Sequence, residues 1–112
     1  HDAIFSSSLS ESDLQMDWPF KDWGVDLVLT GHVHNYERLK YNGLTYVVNG
    51  LGGDKLEAFQ NPLPYSDPAG EVQSLRRFNT DYGAMLVTVD STGFHAQFID
   101  RNGVVRDSFE IP

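Results

Sequence analysis

The dipeptide Asn42-Gly43 is the feature of this sequence that most narrows the possible folds. It lies between two strand-like runs, residues 36–41 and 44–48, which are rich in Tyr, Leu and Val. Asn and Gly are favoured in two-residue hairpin turns because both central residues there have a positive φ, which these residue types tolerate best. The sequence therefore predicts a β-hairpin over residues 36–48.

Three further strands are predicted near the end of the chain, at residues 84–89, 94–99 and 104–111. Turn-forming residues separate them, Asp-Ser-Thr-Gly in the first case and Asp-Arg-Asn-Gly in the second. The apolar side chains of the middle strand alternate with polar ones, which predicts one buried face. These runs indicate two consecutive antiparallel hairpins.

The region before the Asn-Gly hairpin predicts one helix and one strand. A weak capping pattern, Ser-x-x-Gln, begins at Ser12, so we expect a helix over residues 13–23, broken or kinked near Pro19. Residues 25–30 form a short run that is mostly apolar and β-branched, which is typical of a strand buried on both faces.

No periodicity is visible across residues 51–83, which predicts a long loop. We expect Trp18 and Trp23 to pack between elements.

Composition excludes several classes of protein. The chain has 112 residues, no cysteine, 40% hydrophobic residues and a net charge of −8. A length of this order allows one domain or part of one, and the absence of cysteine excludes disulfides and thiolate metal sites. No apolar run approaches the roughly 20 residues of a membrane-spanning helix. The negative charge disfavours nucleic acid and anionic membranes as partners.

The segment Gly31-His32-Val33-His34-Asn35-Tyr36-Glu37-Arg38 carries the chemistry. It follows the predicted buried strand, and open α/β sheets place their ligands at the carboxyl ends of strands. Two imidazoles at this spacing can converge on one metal or on two adjacent ones, and imidazole suits zinc, iron and nickel. His32 and His34 are therefore candidate metal ligands.

These eight residues resemble the Gly-His-x-His-x-Tyr-Glu-Arg signature of calcineurin-like metallophosphoesterases, specifically the purple acid phosphatase branch. The segments His1–Ser7, Trp18–Phe20, Tyr46–Gly50 and Asp81–Gly83 are also similar to that branch. The resemblance spans nearly the whole chain but only the carboxyl-terminal half of the family domain. It implies an α/β fold, the second half of a four-layer αββα sandwich, β-rich and ending in antiparallel hairpins. Residues 1–50 would carry the metal half-site.

The resemblance also implies a dinuclear metal centre. His1 and His32 would bind the divalent metal, which is Zn, Mn or Fe, and His34 would bind the other metal, which is Fe in many members. The other family ligands lie in Asp-x-His, Gly-Asp and Gly-Asn-His motifs that do not occur here in the family order. Gly53-Asp54 follows the histidine motif instead of preceding it, so we interpret it as a loop turn.

Several polar residues are candidates for support or substrate contact. We expect Glu37 and Arg38 to pair with each other or with backbone groups and so to fix the turn that holds the ligands. Arg76 and Arg77 could contact a phosphate, although a solvated pair on a mobile loop is the commoner situation. The supporting set is Asn35, Tyr36, Glu37 and Arg38, of which Asn35 could also face the substrate.

The expected function is the metal-dependent hydrolysis of phosphoric esters, most simply monoesters. Three imidazoles without carboxylates cannot neutralise two cations. We therefore expect this chain alone to bind at most one metal, weakly, and to hydrolyse nothing. Since it begins with His1, we expect it to be processed, excised or part of a longer protein, and to need the amino-terminal half of the domain or another copy.

Two alternatives remain open. The chain could be a non-catalytic β-rich interaction module derived from a degenerate or truncated phosphoesterase. A natural amino-terminal His1 could instead chelate copper together with a second histidine. The residues themselves leave the cellular compartment open, and the family resemblance implies secretion or the periplasm.

Overall fold

The computed structural model describes residues 1–8, 13–60 and 71–112, and within them nearly all of the regular secondary structure is β-strand. One short 3₁₀ helix spans Leu14–Met16. None of the described helices is long and apolar enough to cross a membrane. The strands are β1 (Leu27–Thr30), β2 (Tyr36–Tyr41), β3 (Leu44–Asn49), β4 (Gln73–Phe78), β5 (Gly83–Asp90), β6 (Gly93–Asp100) and β7 (Val105–Ile111).

These strands form two sheets. The first sheet has the order β1-β3-β2-β4, in which β1 runs parallel to β3 and the other pairs are antiparallel. The second sheet is an antiparallel meander with the order β5-β6-β7. The prediction of a β-rich chain that ends in antiparallel hairpins is confirmed.

The Asn-Gly hairpin is present as predicted. Asn42 and Gly43 have φ values of 48° and 76°, and the strands pair from Tyr41 opposite Leu44 to Tyr36 opposite Asn49. Positive φ at both turn positions matches the right-handed twist of the flanking strands. This turn places the carboxyl end of β3 beside His32 and His34, because β2 begins two residues after His34 and its first residue pairs with the last residue of β3.

Two hydrophobic clusters cover opposite faces of the first sheet. One face packs against the first residues of the chain, where Ile4 and Phe5 meet Leu39 and Val48. The other face packs against the second sheet, where Tyr36 and Phe98 stack with their ring centroids 4.3 Å apart. The amino-terminal segment is thus fixed by the same sheet that carries the motif.

The predicted helix over residues 13–23 is wrong. Apart from the 3₁₀ turn, short-range contacts hold this segment, such as the bonds from Phe20 N–H to the Trp18 carbonyl and from Trp23 N–H to the Pro19 carbonyl. Pro19 lacks an N–H and cannot continue a helical hydrogen-bond pattern. The expected cap, Ser12, lies outside the described residues. Asp13 instead caps the short turn by accepting from Gln15 N–H.

Two predictions about strands need correction. The strand expected at residues 25–30 forms over Leu27–Thr30, but it is not buried on both faces, since Leu29 is 52% exposed. β1 lies at the edge of its sheet, and no described element covers that side chain.

The loop expected over residues 51–83 contains β4. β4 is polar and includes Arg76 and Arg77, so it lacks the apolar alternation by which strands are found. Residues 61–70 of that loop lie outside the described residues.

A buried polar group joins the two sheets. Asp107 on β7 accepts a hydrogen bond of 2.8 Å from the Tyr36 hydroxyl and two more, of 2.7 and 3.0 Å, from the Arg38 guanidinium. Burial raises the pKa of the Tyr36 hydroxyl far above its usual range, so that it stays a hydrogen-bond donor. Burial alone would raise the pKa of Asp107 too, but the bonds from Arg38 and Tyr36 outweigh it and lower that pKa.

This arrangement predicts acid-sensitive stability. Because the folded pKa of Asp107 lies below its ordinary value, its stabilising effect is present above about pH 4 and is lost as the pH falls through the folded pKa. Asp107→Asn should lower the free energy of unfolding by about 2 kcal/mol at pH 7. Urea denaturation at pH 7 and pH 3 should show this difference shrinking in acid. The exposed Asp26→Asn is the control, and an equal, pH-independent loss in Asp107→Asn would contradict the prediction.

Candidate metal site

The three predicted histidine ligands line one open depression of about 460 Å³, at the carboxyl ends of β1 and β3. The Gly31 N–H donates to the His1 carbonyl over 2.9 Å, which fixes the first residue of the chain beside the motif. His32 has a φ of 64°, a left-handed conformation that non-glycine residues adopt rarely and that is concentrated at functional sites. The structure therefore brings together His1, His32 and His34.

His1, Asp2 and His32 form the tightest donor group of this site. One ligand atom from each of them can be chosen so that all three lie within 4.8 Å of one another. His32 Nδ1 lies 3.6 Å from Asp2 Oδ1, and the His1 and His32 rings meet edge to face at 5.3 Å. Within the described ranges it is the one group of three or more His, Cys, Asp or Glu residues that meets this criterion. Sequence analysis missed Asp2, although its position next to His1 was the available signal.

His34 lies apart from that group and has acidic neighbours of its own. Its Nδ1 is 3.4 Å from Glu57 Oε1, and its Nε2 is 3.9 Å from Asp54 Oδ2. The Glu57 N–H donates to the His34 carbonyl over 2.9 Å, which holds the two backbones together. His34 Nδ1 is buried, and no described residue, Glu57 included, meets it with hydrogen-bond geometry. A buried ring nitrogen without a hydrogen-bond partner is unusual, and a metal ion bound at Nδ1 would satisfy it.

Carboxylates are therefore present beside the histidines, contrary to the expectation from the sequence. Asp2, Asp54 and Glu57 supply them, and Asp54 belongs to the Gly-Asp dipeptide that we interpreted as a loop turn. Asp54 does lie in a bend, but its carboxylate points toward His34. Imidazole and carboxylate donors together suit zinc, iron or manganese. The donor set fits a divalent metal better than the histidines alone would.

Glu37 anchors the amino-terminal segment to the sheet. It is fully buried and accepts hydrogen bonds from Ser7 N–H at 2.8 Å, from the Ser7 hydroxyl, from the Ser74 hydroxyl at 2.6 Å and from Arg77 Nε at 3.2 Å. It does not pair with Arg38, which binds Asp107 on the opposite face of the sheet. A supporting role for Glu37 and Arg38 remains a prediction, and these are the contacts through which it would act.

The two arginines lie on a strand, so the expectation of a pair on a mobile loop is wrong. Arg77 points inward and donates to both Glu37 and Ser7, the latter from Nη2 at 2.7 Å. Arg76 is exposed, and its Nε donates to the Arg106 carbonyl at 2.7 Å. Adjacent residues of a strand face opposite sides, which is why the pair separates. Phosphate binding by either arginine remains a prediction.

Asn35 is buried beneath the motif. Its Nδ2 donates to the Ser8 hydroxyl over 3.1 Å, and Ser8 in turn donates to the Ala58 carbonyl over 3.1 Å. With no exposed surface, Asn35 in this structure offers nothing to a substrate. It links the motif to Ser8 and, through Ser8, to Ala58, so its contacts are those of a supporting residue.

Comparisons with known proteins agree with this fold. A family model described as "Iron/zinc purple acid phosphatase-like protein C" matches residues 43–108. A solved structure described as "GAP50 the anchor in the inner membrane complex of Plasmodium" superposes with a TM-score of 0.77 at 21% sequence identity. The match covers 98% of this chain and 34% of that one, so the chain spans about a third of its length. A search among curated proteins finds no match.

Proposed function

The chain belongs to the iron/zinc purple acid phosphatase-like protein C family, and we propose that it supplies half of a metal centre that hydrolyses phosphoric esters. The matched residues 43–108 include Asp54 and Glu57 but not His1, His32 or His34, so the proposal depends on the geometry of the site. The observation that carries it is the convergence of His1 and His32, with Asp2 beside them, at the depression that His34 also lines.

Each group in the depression has a definable task. His1 and His32 would hold one metal with Asp2, whose carboxylate offsets part of the cation charge, and His34 would bind a second metal. Glu57, 3.4 Å from His34 Nδ1, can orient that ring. The chemistry that such metals supply when bound is Lewis acidity toward phosphoryl oxygen and a water of low pKa. A positive centre also explains how a protein with a net charge of −8 would accept an anionic ester.

The donors present are too few for a complete dinuclear site, so we propose that catalysis needs further ligands from outside this chain. The unpaired edge of β1 and the exposed Leu29 lie beside the depression and offer a surface on which an amino-terminal half of the domain, or another copy, could pack. Such packing would bring new carboxylates to the carboxyl ends of the same strands.

A non-catalytic role as an interaction module is the second candidate. The structurally similar Plasmodium protein is described as an anchor, which is the observation that favours this role here. The two functions differ in the metal site, because an anchoring module has no need for His32 and His34 to bind metal. Metal binding therefore separates them.

We predict measurable zinc or manganese binding that depends on the motif. His32→Ala should weaken zinc binding at least about tenfold in calorimetric titration, since even residues that only support ligands change affinity by that factor. His34→Ala should weaken zinc binding less than His32→Ala does, because His34 lies apart from the group of His1, Asp2 and His32. His95→Ala is the matched control, because His95 lies on the second sheet beside Asp90 and Glu110. Equal binding by all four proteins would contradict the proposal.

The chain alone should not turn over a generic phosphate ester, with or without zinc, iron or manganese. Adding a polypeptide that carries the missing family motifs should restore metal-dependent hydrolysis if the chain is part of an enzyme. Robust turnover by the 112-residue chain alone would refute the expectation of an incomplete site. Absence of both metal binding and restored turnover would favour the interaction module.

A further inference from the structure

A pocket of about 250 Å³ lies at the opposite end of the first sheet from the histidines. It is enclosed between residues 17–22 and the turn of the β2-β3 hairpin, and it shares no lining residue with the histidine depression. The side chains relevant here are four aromatic rings and two carboxylates: Trp18, Phe20, Tyr41, Tyr46, Asp17 and Asp22.

Trp18 provides the exposed aromatic surface of this pocket, whereas Phe20 and Tyr41 are partly buried and Tyr46 is buried. Trp18 is 49% exposed, which corrects the prediction that it would pack between elements. Its ring lies 5.9 Å from that of Phe20, so the exposed surface is held in place from one side. Phe5 supports Tyr41 and Tyr46 from below, with both ring centroids at 4.9 Å. The pocket thus has one solvent-exposed ring, that of Trp18, beside aromatic side chains that pack against the core of the first sheet.

The pocket also carries an excess of negative charge. The Asp17 carboxylate makes no hydrogen bond or ion pair with any described residue, and partial burial raises its pKa. Lys21, the one cation among the described residues of the lining, directs its ammonium to the Asn42 carbonyl at 2.9 Å. Two carboxylates against one ammonium leave the lining negative, in a protein with a net charge of −8. The negative charge and the aromatic side chains of the lining both favour the binding of a cation.

We propose that this pocket binds a small organic cation that carries a quaternary ammonium group. Such a group is weakly hydrated and is attracted to the faces of Trp and Tyr rings, and recognition of this kind is widespread. Asp17 supplies the opposite charge, and the volume suits one ammonium head group and not an extended chain. The site is separate from the metal centre, so it does not depend on phosphoesterase activity.

Choline is the probe that tests this inference. Titration of the full chain should quench Trp18 fluorescence in a saturable way, whereas 3,3-dimethylbutan-1-ol, the uncharged analogue of the same shape, should bind at least about tenfold more weakly. Asp17→Asn and Trp18→Leu should each weaken choline binding about tenfold, which corresponds to about 1.4 kcal/mol. Trp23→Phe is the matched control, because Trp23 contacts the ring of Trp18 without lining the pocket.

Each alternative outcome overturns the proposal. Equal affinity for choline and its uncharged analogue would show that the pocket recognises shape alone. Tighter binding of an unmethylated lysine peptide than of choline would show that the site accepts a protein partner instead. Loss of binding in Trp23→Phe but not in Asp17→Asn, with circular dichroism unchanged in both, would place the site elsewhere. Calorimetry without a saturable heat would exclude choline binding altogether.

Discussion

Replacing Glu37 with Gln is expected to lower the free energy of unfolding by about 3–5 kcal/mol, because it breaks a buried ion pair and leaves Arg77 without its counter-charge. Glu37 is fully buried, and it accepts hydrogen bonds from Ser7, Ser74 and Arg77. Gln keeps the size of the side chain, but one of its acceptor oxygens becomes an NH₂ group that would face these donors. Domains of this kind have total stabilities of about 5–15 kcal/mol, so the substitution would remove a large share of the total stability.

Urea denaturation followed by circular dichroism at pH 7 measures this effect. Glu110→Gln is the matched control, because the Glu110 side chain is 76% exposed and pairs only with His95 among described residues. It should change stability by less than about 0.5 kcal/mol. A loss of the same size in both variants, or no loss in Glu37→Gln, would show that the anchoring of residues 1–8 to the sheet does not depend on this carboxylate.

Glu37 also links the fold to the site. Ser7 lies on the segment that begins with His1, and Arg77 lies on β4. One carboxylate on β2 therefore connects this amino-terminal segment to the neighbouring strand of the sheet. Rigid placement of ligands improves metal affinity because less conformational entropy is lost on binding. We therefore expect Glu37→Gln to weaken zinc binding even under conditions in which the variant remains folded.

The sequence predicted those parts of the fold that local chemistry determines. Asn42-Gly43 requires only its own backbone to form a hairpin, and the Asp-Ser-Thr-Gly turn before Phe94 acts in the same way. The alternation that buries Ala96 and Phe98 is likewise visible within one strand. Elements of this kind are recognisable because their stability does not depend on distant residues.

The sequence did not predict the elements whose formation depends on residues far away along the chain. β4 is polar, and it becomes a strand because Glu37 and Arg38 on β2 pair with Arg77 and Arg76 across the sheet. The acidic neighbours of His34 follow it by about twenty residues and reach it through a backbone bond from Glu57. No spacing rule connects such residues, so the histidines of the site could be predicted from the motif while most of its carboxylates could not.

Gly50 lies so close to the backbone of Val33 and His34 that a side chain at this position is expected to have a large effect. A Cβ at Gly50 would lie 1.8 Å from the Val33 carbonyl oxygen and 2.7 Å from its carbon, both of them backbone atoms that cannot rotate away. Gly50 N–H also donates to the Asn35 carbonyl over 3.0 Å, so the two segments are fastened together. The φ of Gly50 is not positive, so glycine is required here because a larger side chain has no room and not because of the backbone conformation.

Gly50→Ala is expected to lower the free energy of unfolding by about 3 kcal/mol, at the upper end of what overpacking usually costs. The backbone of residues 33–35 must move to admit the methyl group, and His34 lies within that stretch, so zinc affinity should fall about tenfold in the fraction that stays folded. Gly52→Ala is the control, since a Cβ there meets nothing within 4 Å. Urea denaturation and zinc titration of both variants measure the two effects. Equal behaviour of the two variants would mean that the end of β3 does not position the histidine motif.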